Sequence, residues 1–441
     1  MENPALDSEA ERPSLSDMNI LVMALGAALL GLHSGALRAE PNPQPFPQRP
    51  SVKGLQVQMV PDALSLGIHH AALNVNLGQL ALVPPGRGLE VKTGQSVHRF
   101  NADYLRSLDA QIKPLSDAGV VVYLIMLVLP TADSALNQIL LHPGAHQNPG
   151  FTVGAFNTAS AEGRAWLRAA FDLLAQRYSG SQSSSGRVWG WIVGNEVNSH
   201  FMWHGRGPCS LEELARDYEQ AVRLAHDSLR LHSAHARVYL SFDHHWARAH
   251  LPKEPQKSVP GRDLLDAFAR QASNNGDFEW HIAWHPYHSN LFATELWNDP
   301  QAPRQADAPN VTFHNLEILT QHLQRRELLW QGKPRRVILS EQGFHTPDGT
   351  QAEQRQAAAF VYAWEKVSRL PGIDAFIYHR QVDHAQEGGL RLGLWERQAQ
   401  SVATPLRPKL LHAIFAKAGS PQWPAAAAEL LPISGLKSWA Q

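Results

Sequence analysis

Short runs rich in β-branched residues recur eight times along this chain, and from the second to the seventh each is followed by a stretch with helical periodicity. The runs fall at 54–59, 70–76, 120–127, 188–194, 236–242, 280–285, 336–340 and 375–378. Between them, apolar residues at three- and four-residue spacing predict helices over 104–118, 161–178, 211–231, 263–272, 315–330 and 351–370. The first two runs have no clear helix between them. Strand–helix alternation of this kind points to a parallel sheet closed into a (β/α)8 TIM barrel, a single catalytic domain with long loops at its C-terminal face.

Local signals agree with that reading. Gly119 ends one helical pattern and directly precedes Val120-Val121-Val122-Tyr123, a helix cap feeding a strand, and Leu370-Pro371-Gly372 does the same before the eighth run. Loops at 78–100 and 130–160 belong at the barrel's C-terminal face. An open doubly wound sheet in its dinucleotide-binding form requires a glycine-rich phosphate loop after the first strand, and none is present. The barrel is therefore expected over residues 51–420, followed by a C-terminal tail at 421–441.

Residues 1–50 read as a signal-like segment and a proline-rich linker. The apolar run 20–32 has signal-peptide length and is too short for a stable membrane span; Ala36-Leu37-Arg38-Ala39 supplies small residues for cleavage. An acidic stretch precedes the run where a basic one is usual. The expectation is a secreted or periplasmic protein. A net charge of −1 offers no basic field for nucleic acid. Cys209 is the only cysteine, which excludes an intrachain disulfide and a thiolate zinc cluster, and its place beside Pro208 suggests an inert residue.

Catalytic groups of such barrels stand at the C-terminal ends of strands. The fourth strand ends in Asn195-Glu196-Val197-Asn198 and the seventh in Ser340-Glu341-Gln342-Gly343. Glycoside cleavage needs one carboxyl to protonate the leaving oxygen and a second to attack or to activate water, and carboxyls on two staves of one rigid barrel can meet that need. His285 and Tyr287 follow the sixth strand, neighbour of the seventh; either could bond Glu341. Asp243, His244, His245 and Trp246 end the fifth strand, and His379, Arg380, Asp383 and His384 follow the eighth. With Asn76 at the end of the second, Asp243, His244, Trp246, His285, Tyr287, His379 and Arg380 are candidate sugar contacts, Trp246 as a platform for a sugar ring.

Asn195-Glu196 and Glu341 resemble the arrangement of clan A retaining glycosidases. That resemblance implies Glu196 as acid/base, Glu341 as nucleophile, Asn195 on the sugar 2-hydroxyl and Tyr287 on Glu341. The segments Ser241-Phe242-Asp243-His244-His245-Trp246, Trp284-His285-Pro286-Tyr287-His288, Leu339 to Phe344, Tyr378 to Asp383 and Glu387 to Leu390 resemble a bacterial family of barrel proteins of unknown function. The likeness extends from about Val52 to Trp395. The implied activity is retaining hydrolysis of a β-glycosidic bond in an oligo- or polysaccharide, with a carbohydrate substrate and no cofactor or metal.

Two rival readings remain. One is a metal-dependent barrel hydrolase, prompted by the histidine pairs; but His69-His70 begins rather than ends its strand, and His244-His245 lacks the spacing of a helical metal motif. The other is a barrel that binds carbohydrate without cleaving it, which gives no reason to keep both glutamates.

Overall fold

The computed structural model describes residues 40–440, apart from 94–95, 149 and 182–183. The signal-like run 20–32 and its cleavage residues lie outside them. From Pro41 onward the chain forms one folded unit. Its eight strands are β1 (Lys53–Gln56), β2 (His70–Asn76), β3 (Val121–Leu127), β4 (Gly190–Val193), β5 (Arg237–Phe242), β6 (Trp280–Trp284), β7 (Val337–Leu339) and β8 (Ile373–Tyr378). Each pairs in parallel with its sequence neighbours, and β8 closes on β1 through Lys53↔Phe376 and Gly54↔Ile377. The eight sequence runs are the eight staves, in order.

Helices α1 (Val60–Ser65), α2 (Ala102–Asp117), α3 (Ala161–Ser179), α4 (Leu211–Arg230), α5 (Gly261–Asn274), α6 (Glu317–His322), α7 (Ala352–Arg369) and α8 (Leu410–Lys417) follow the strands in turn. The missing first helix is thus present but only six residues long, with a proline in its first turn, too short to show a period. The sixth departs from the expected 315–330. It stops at His322, and a 3₁₀ turn over Arg326–Leu328 carries Leu328 into the core. His322 and Arg325 both bond the Asp266 carboxylate of α5, each at 2.9 Å, which anchors the break. Helix α4 opens on a capping box formed by Ser210 and Glu213.

Every residue of β3 is buried, because alternate side chains face the barrel interior and the helices. Tyr123, Ile125 and Leu127 join Ile192, Tyr239, Ile338 and Ile377 inside the barrel, while Leu124 and Met126 pack with the helix layer. The Tyr123 and Tyr239 rings meet edge to face at 5.7 Å across Gly190. A Cβ on Gly190 would lie 2.3 Å from the Tyr123 ring and 3.0 Å from Tyr239, so this position admits only glycine without repacking.

The N-terminal face is closed by ion pairs and by residues before β1. Asp374 on β8 receives Arg237 from β5 and Arg336 from the edge of β7, each with one bond of 2.9 Å. His70 spends both ring nitrogens there, on Tyr123 Oη and the Ser51 carbonyl. The proline-rich segment is docked rather than free: Asn42 exchanges backbone hydrogen bonds with His232 and Ala234. Phe46 covers Trp189, and the Arg237 guanidinium stacks 3.9 Å from the Phe46 ring centre. At the other end of the chain, helix α9 (Trp423–Ser434) packs on α7, with Trp423 Nε1 donating to Glu365 Oε1 at 2.7 Å.

The loops at the C-terminal face hold additional structure that the sequence does not announce. An antiparallel hairpin, Gly88–Thr93 with Ser96–Asn101, follows β2, and a second, Trp395–Arg397 with Pro405–Pro408, follows β8. No helix among the described residues is long and apolar enough to cross a membrane.

Gly190→Ala should lower stability by about 1–3 kcal/mol through overpacking of the two tyrosines. The expected readout is an earlier urea midpoint with an unchanged slope.

Candidate active site

After Val193 the chain leaves β4 through Gly194 and reaches Glu196, both with positive φ (80° and 42°). Glycine adopts this region freely; for glutamate it is uncommon and is held only where neighbours enforce it. The enforcement is visible. The Glu196 amide donates to Ser241 Oγ on β5 at 3.0 Å. The Ser241 amide in turn donates to Tyr218 Oη from α4 at 2.8 Å, and that hydroxyl donates to the Val193 carbonyl at 2.7 Å.

Glu341 follows β7 by two residues. Its loop runs against the end of β8, where a Cβ on Gly343 would fall 1.9 Å from the His379 carbonyl oxygen. Glycine is required by that approach. Phe344 donates its amide to Tyr378 Oη at 3.2 Å, fixing the loop to β8.

These two loops and the one after β6 converge on one point. Single side-chain atoms of Glu196, His285 and Glu341 lie within 4.8 Å of one another. His285 is buried, and its Nδ1 shares a proton with Glu196 Oε1 across 2.9 Å. Tyr287 Oη donates to Glu341 Oε1 at 3.4 Å. The two residues that follow β6 therefore divide the two carboxyls between them.

Burial raises the Glu196 pKa above that of an ordinary glutamate, and the nearby Asp243 and Glu341 charges add to the rise against the opposing pull of His285. For His285, burial disfavours the charge, but Glu341 and Glu196 outweigh it and hold its pKa above the usual histidine range. The cluster thus retains a proton that separate side chains would release. Burial, then Glu341 and Glu387, keep the Tyr287 hydroxyl protonated well beyond its ordinary range.

The end of β5 supports this cluster from one side. Asp243 is buried and accepts from Asn198 Nδ2, Ser199 Oγ and the His245 amide, with His245 Nδ1 at 3.0 Å. Its burial acts to raise its pKa, yet His245 and these bonds hold it well below the carboxylate range. His244 is buried and stacks on His245 at 4.3 Å, and burial pulls its pKa down to about 3. Asp243 and His244 thus back the cluster from within the protein. Ser199 and Ser241 were not among the sequence candidates; a serine beside an acidic group carries no signal until the fold pairs them.

Trp246 requires a correction. It is fully buried, donates Nε1 to the Ala306 carbonyl at 3.0 Å, and packs edge-on against Trp284 and His322. The chain after β5 turns beneath the 306–309 segment, whose carbonyls take the Trp246 and Ala247 amides, so the indole enters the core and has no face to offer a sugar.

The remaining candidates lie around the rim. Asn195 is half-buried next to Glu196. Asn76 caps the short helix Leu77–Ala81, and its side-chain oxygen accepts from Gly78 and Leu129 amides, which commits that oxygen to the backbone. After β8, His379 bonds Gln56 and approaches Glu387 at 3.5 Å, and Arg380 pairs with the same Glu387. Burial raises the Glu387 pKa, but His379 and Arg380 bring it down to about 2. Asp383 is tied to Lys409 at 2.7 Å and serves the fold. Burial pushes the Cys209 thiol up to about 12, leaving it inert.

The fold is a closed (β/α)8 barrel, with the two carboxyls brought together beyond the ends of β4 and β7. Within that class the chain belongs to a family of unknown function, DUF5722, whose model matches residues 45–441. No curated protein sequence is significantly similar to it. Among solved structures, it superimposes on a hyperthermophilic β-glucosidase from Pyrococcus furiosus with a TM-score of 0.53 at 14% identity, covering 86% of this chain and 85% of that one. A β-glucosidase mutant derived from a hyperthermophilic tetrameric structure gives 0.51 at 13% identity, covering 86% and 85%. A family 39 glycoside hydrolase from Bacteroides cellulosilyticus WH2 gives 0.50 at 12% identity over 82% of this chain, which spans 60% of that protein's length. At such identities the likeness is one of fold.

Trp246→Ala should cost about 3–5 kcal/mol of stability, as for a large core aromatic. Thermal and urea unfolding would register the loss in the absence of any sugar.

Proposed function

We propose that the protein is a glycoside hydrolase that cleaves a β-glycosidic bond of an oligo- or polysaccharide by retaining double displacement. The observation that carries this reading is the approach of Glu196 and Glu341 to within 4.8 Å. Retaining enzymes hold their carboxyls roughly 5–5.5 Å apart, whereas inverting enzymes leave about 6.5–9.5 Å for a water. The β configuration is suggested by the β-glucosidases that share the fold. The apolar run at 20–32 supports export, which suits a substrate too large to enter a cell.

In the first step Glu196, kept protonated by burial, gives its proton to the glycosidic oxygen as the bond to the anomeric carbon breaks. Glu341 attacks that carbon as a carboxylate and forms a glycosyl ester. Tyr287 positions Glu341 and stabilises its charge before attack. In the second step Glu196, now a carboxylate, takes a proton from water; the resulting hydroxyl replaces Glu341 on the sugar. His285 shares the proton of Glu196 and tunes when it is released. Asn195 is assigned to the sugar 2-hydroxyl by its place before Glu196.

The same trio favours a second reading, in which Glu196, His285 and Glu341 hold a divalent ion that activates water. Dialysis against a chelator separates the two. Double displacement predicts unchanged turnover, and metal catalysis predicts a loss that added metal restores.

Glu341→Gln should abolish turnover of every substrate. Glu196→Ala should keep the first step for aryl glycosides with good leaving groups, and added azide should restore turnover with a glycosyl azide of retained configuration as product. Full activity in Glu341→Gln, tested on a panel of aryl β-glycosides and polysaccharides, would overturn the mechanism.

The pH dependence has a definite sign. Glu196 must be protonated at the start, so kcat/KM falls as pH rises through its raised pKa. His285 acts to lower that pKa; His285→Phe removes this pull while keeping the site buried. The alkaline limb should move to higher pH in the variant, and a limb that stays or moves down would refute the coupling.

A further inference from the structure

The exposed apolar side chains of this protein are concentrated on one face. Among the described residues, all eight large exposed ones lie on segments that follow the C-terminal ends of strands. Two are on the 88–101 hairpin after β2, Met202 and Trp203 follow β4, Leu291 and Phe292 follow β6, and two lie at 402 and 406 after β8. None lies on α1–α9 or on a connection at the N-terminal face. Isolated exposed apolar residues need no explanation, but their confinement to the face that holds Glu196 and Glu341 does.

Two of them are aromatic, and each is mounted on the surroundings of one carboxyl. Trp203 is 41% exposed and ends a short helix, His200–Trp203, that begins four residues after Glu196. That helix is fixed at its base: Phe201 donates its amide to the Lys257 carbonyl at 3.0 Å, and His200 Nε2 bonds the Gln256 carbonyl at 2.8 Å. Phe292 is 49% exposed; its ring stands edge-on to His345 at 5.0 Å, four residues beyond Glu341, and its amide donates to Asn290 Oδ1 at 3.1 Å. Both rings are held by their backbone yet uncovered.

We propose that Trp203 and Phe292 are stacking platforms for sugar rings beside the cleavage point, so that the protein holds an extended polysaccharide across its mouth and cuts within the chain. The proposal rests on the hydrolase reading above and adds the class of substrate. A pyranose ring presents C–H groups on its faces and hydroxyls around its edge, so it matches an aromatic face set among polar groups. Phe292 stands beside His345 and the Asn290 side chain, while His200 and His204 are buried beneath the Trp203 turn. The exposed residues are divided among four loops. Two platforms on separate loops are of use only to a ligand long enough to reach both.

The test uses the full chain with Trp203→Ala, Phe292→Ala and the double variant. Native gels cast with soluble β-glucan, xylan, mannan or galactan report polymer binding, and Glu341→Gln serves as a non-hydrolysing background. The Glu341→Gln protein with both rings intact should be retarded by at least one polymer, and each substitution should weaken that retardation by roughly 3- to 10-fold, the range for a single aromatic stacking contact. In the active background, kcat/KM on the same polymer should fall relative to kcat/KM on an aryl monoglycoside by a similar factor. Viscosity should drop ahead of reducing-end release. Undiminished retardation in the double variant, retardation by none of the four polymers, or equal loss on polymer and aryl glycoside would overturn the proposal. So would a change in oligomeric state with polymer binding intact, which would make these rings a contact between copies. Failure of the hydrolase reading itself shows separately, as full activity in Glu341→Gln.

Discussion

Closure of β8 onto β1 is the constraint on which the rest depends. Because all eight strands run parallel, closure puts every strand's C-terminal end on one face. β4 and β7 stand on different sides of the ring, and only a closed barrel of fixed radius brings the carboxyls beyond their ends to within 4.8 Å of one another. The interior packing sets that radius. Tyr123 and Tyr239 meet where Gly190 leaves room, and the surrounding Ile and Ala side chains fill the remainder. A carboxyl pair mounted on loops alone would not hold such a distance.

Division of labour between the two faces follows. At the N-terminal face the charged groups are spent on one another: Asp374 takes two arginines, His70 uses both ring nitrogens, and Phe46 seals Trp189 under Arg237. The cavity of about 710 Å³ near Arg237, Glu279 and Trp330 lies on this side, remote from the carboxyl pair, among arginines already paired with acids. At the C-terminal face, polar groups are buried at a cost and held in place. Glu196 sits in the left-handed region, Asp243 is surrounded by donors, and the His285–Glu196 pair shares a proton. Such expense at one place and economy at the other is the pattern expected of a site that a scaffold supports.

Electrostatics in the cluster is decided by competition rather than by any one neighbour. Burial alone would raise Glu196 and lower His285; placed together, each moderates the other, and the Asp243 and Glu341 charges tip both toward keeping protons. This accounts for the division of partners after β6. The imidazole, which can both give and take a proton, meets the carboxyl that must do likewise. The phenol, which keeps its proton and offers it in a hydrogen bond, meets the other.

The strands and most helices were legible in the sequence because a buried parallel strand reads as an apolar run and a long amphipathic helix repeats its period several times. α1, with six residues, the 88–101 hairpin and the break after α6 were not, since each is shorter than the period that would reveal it or is set by a partner such as Asp266. Glu196 and Glu341 could be picked out because a strand end fixes where a residue sits in a barrel. What their neighbours do could not. Ser241 and Ser199 gain their roles from strands and loops that the chain order does not place side by side. Trp246 stands three residues beyond Ser-Phe-Asp of β5's end and, in sequence, is indistinguishable from a platform; the 306–309 segment folding over it makes it core instead. The sequence by itself determined the alternation of elements and thereby the barrel, since both follow from local periodicity. Tertiary structure alone decided which side chains share a proton, which are covered and which remain open, because those depend on contacts between residues far apart along the chain.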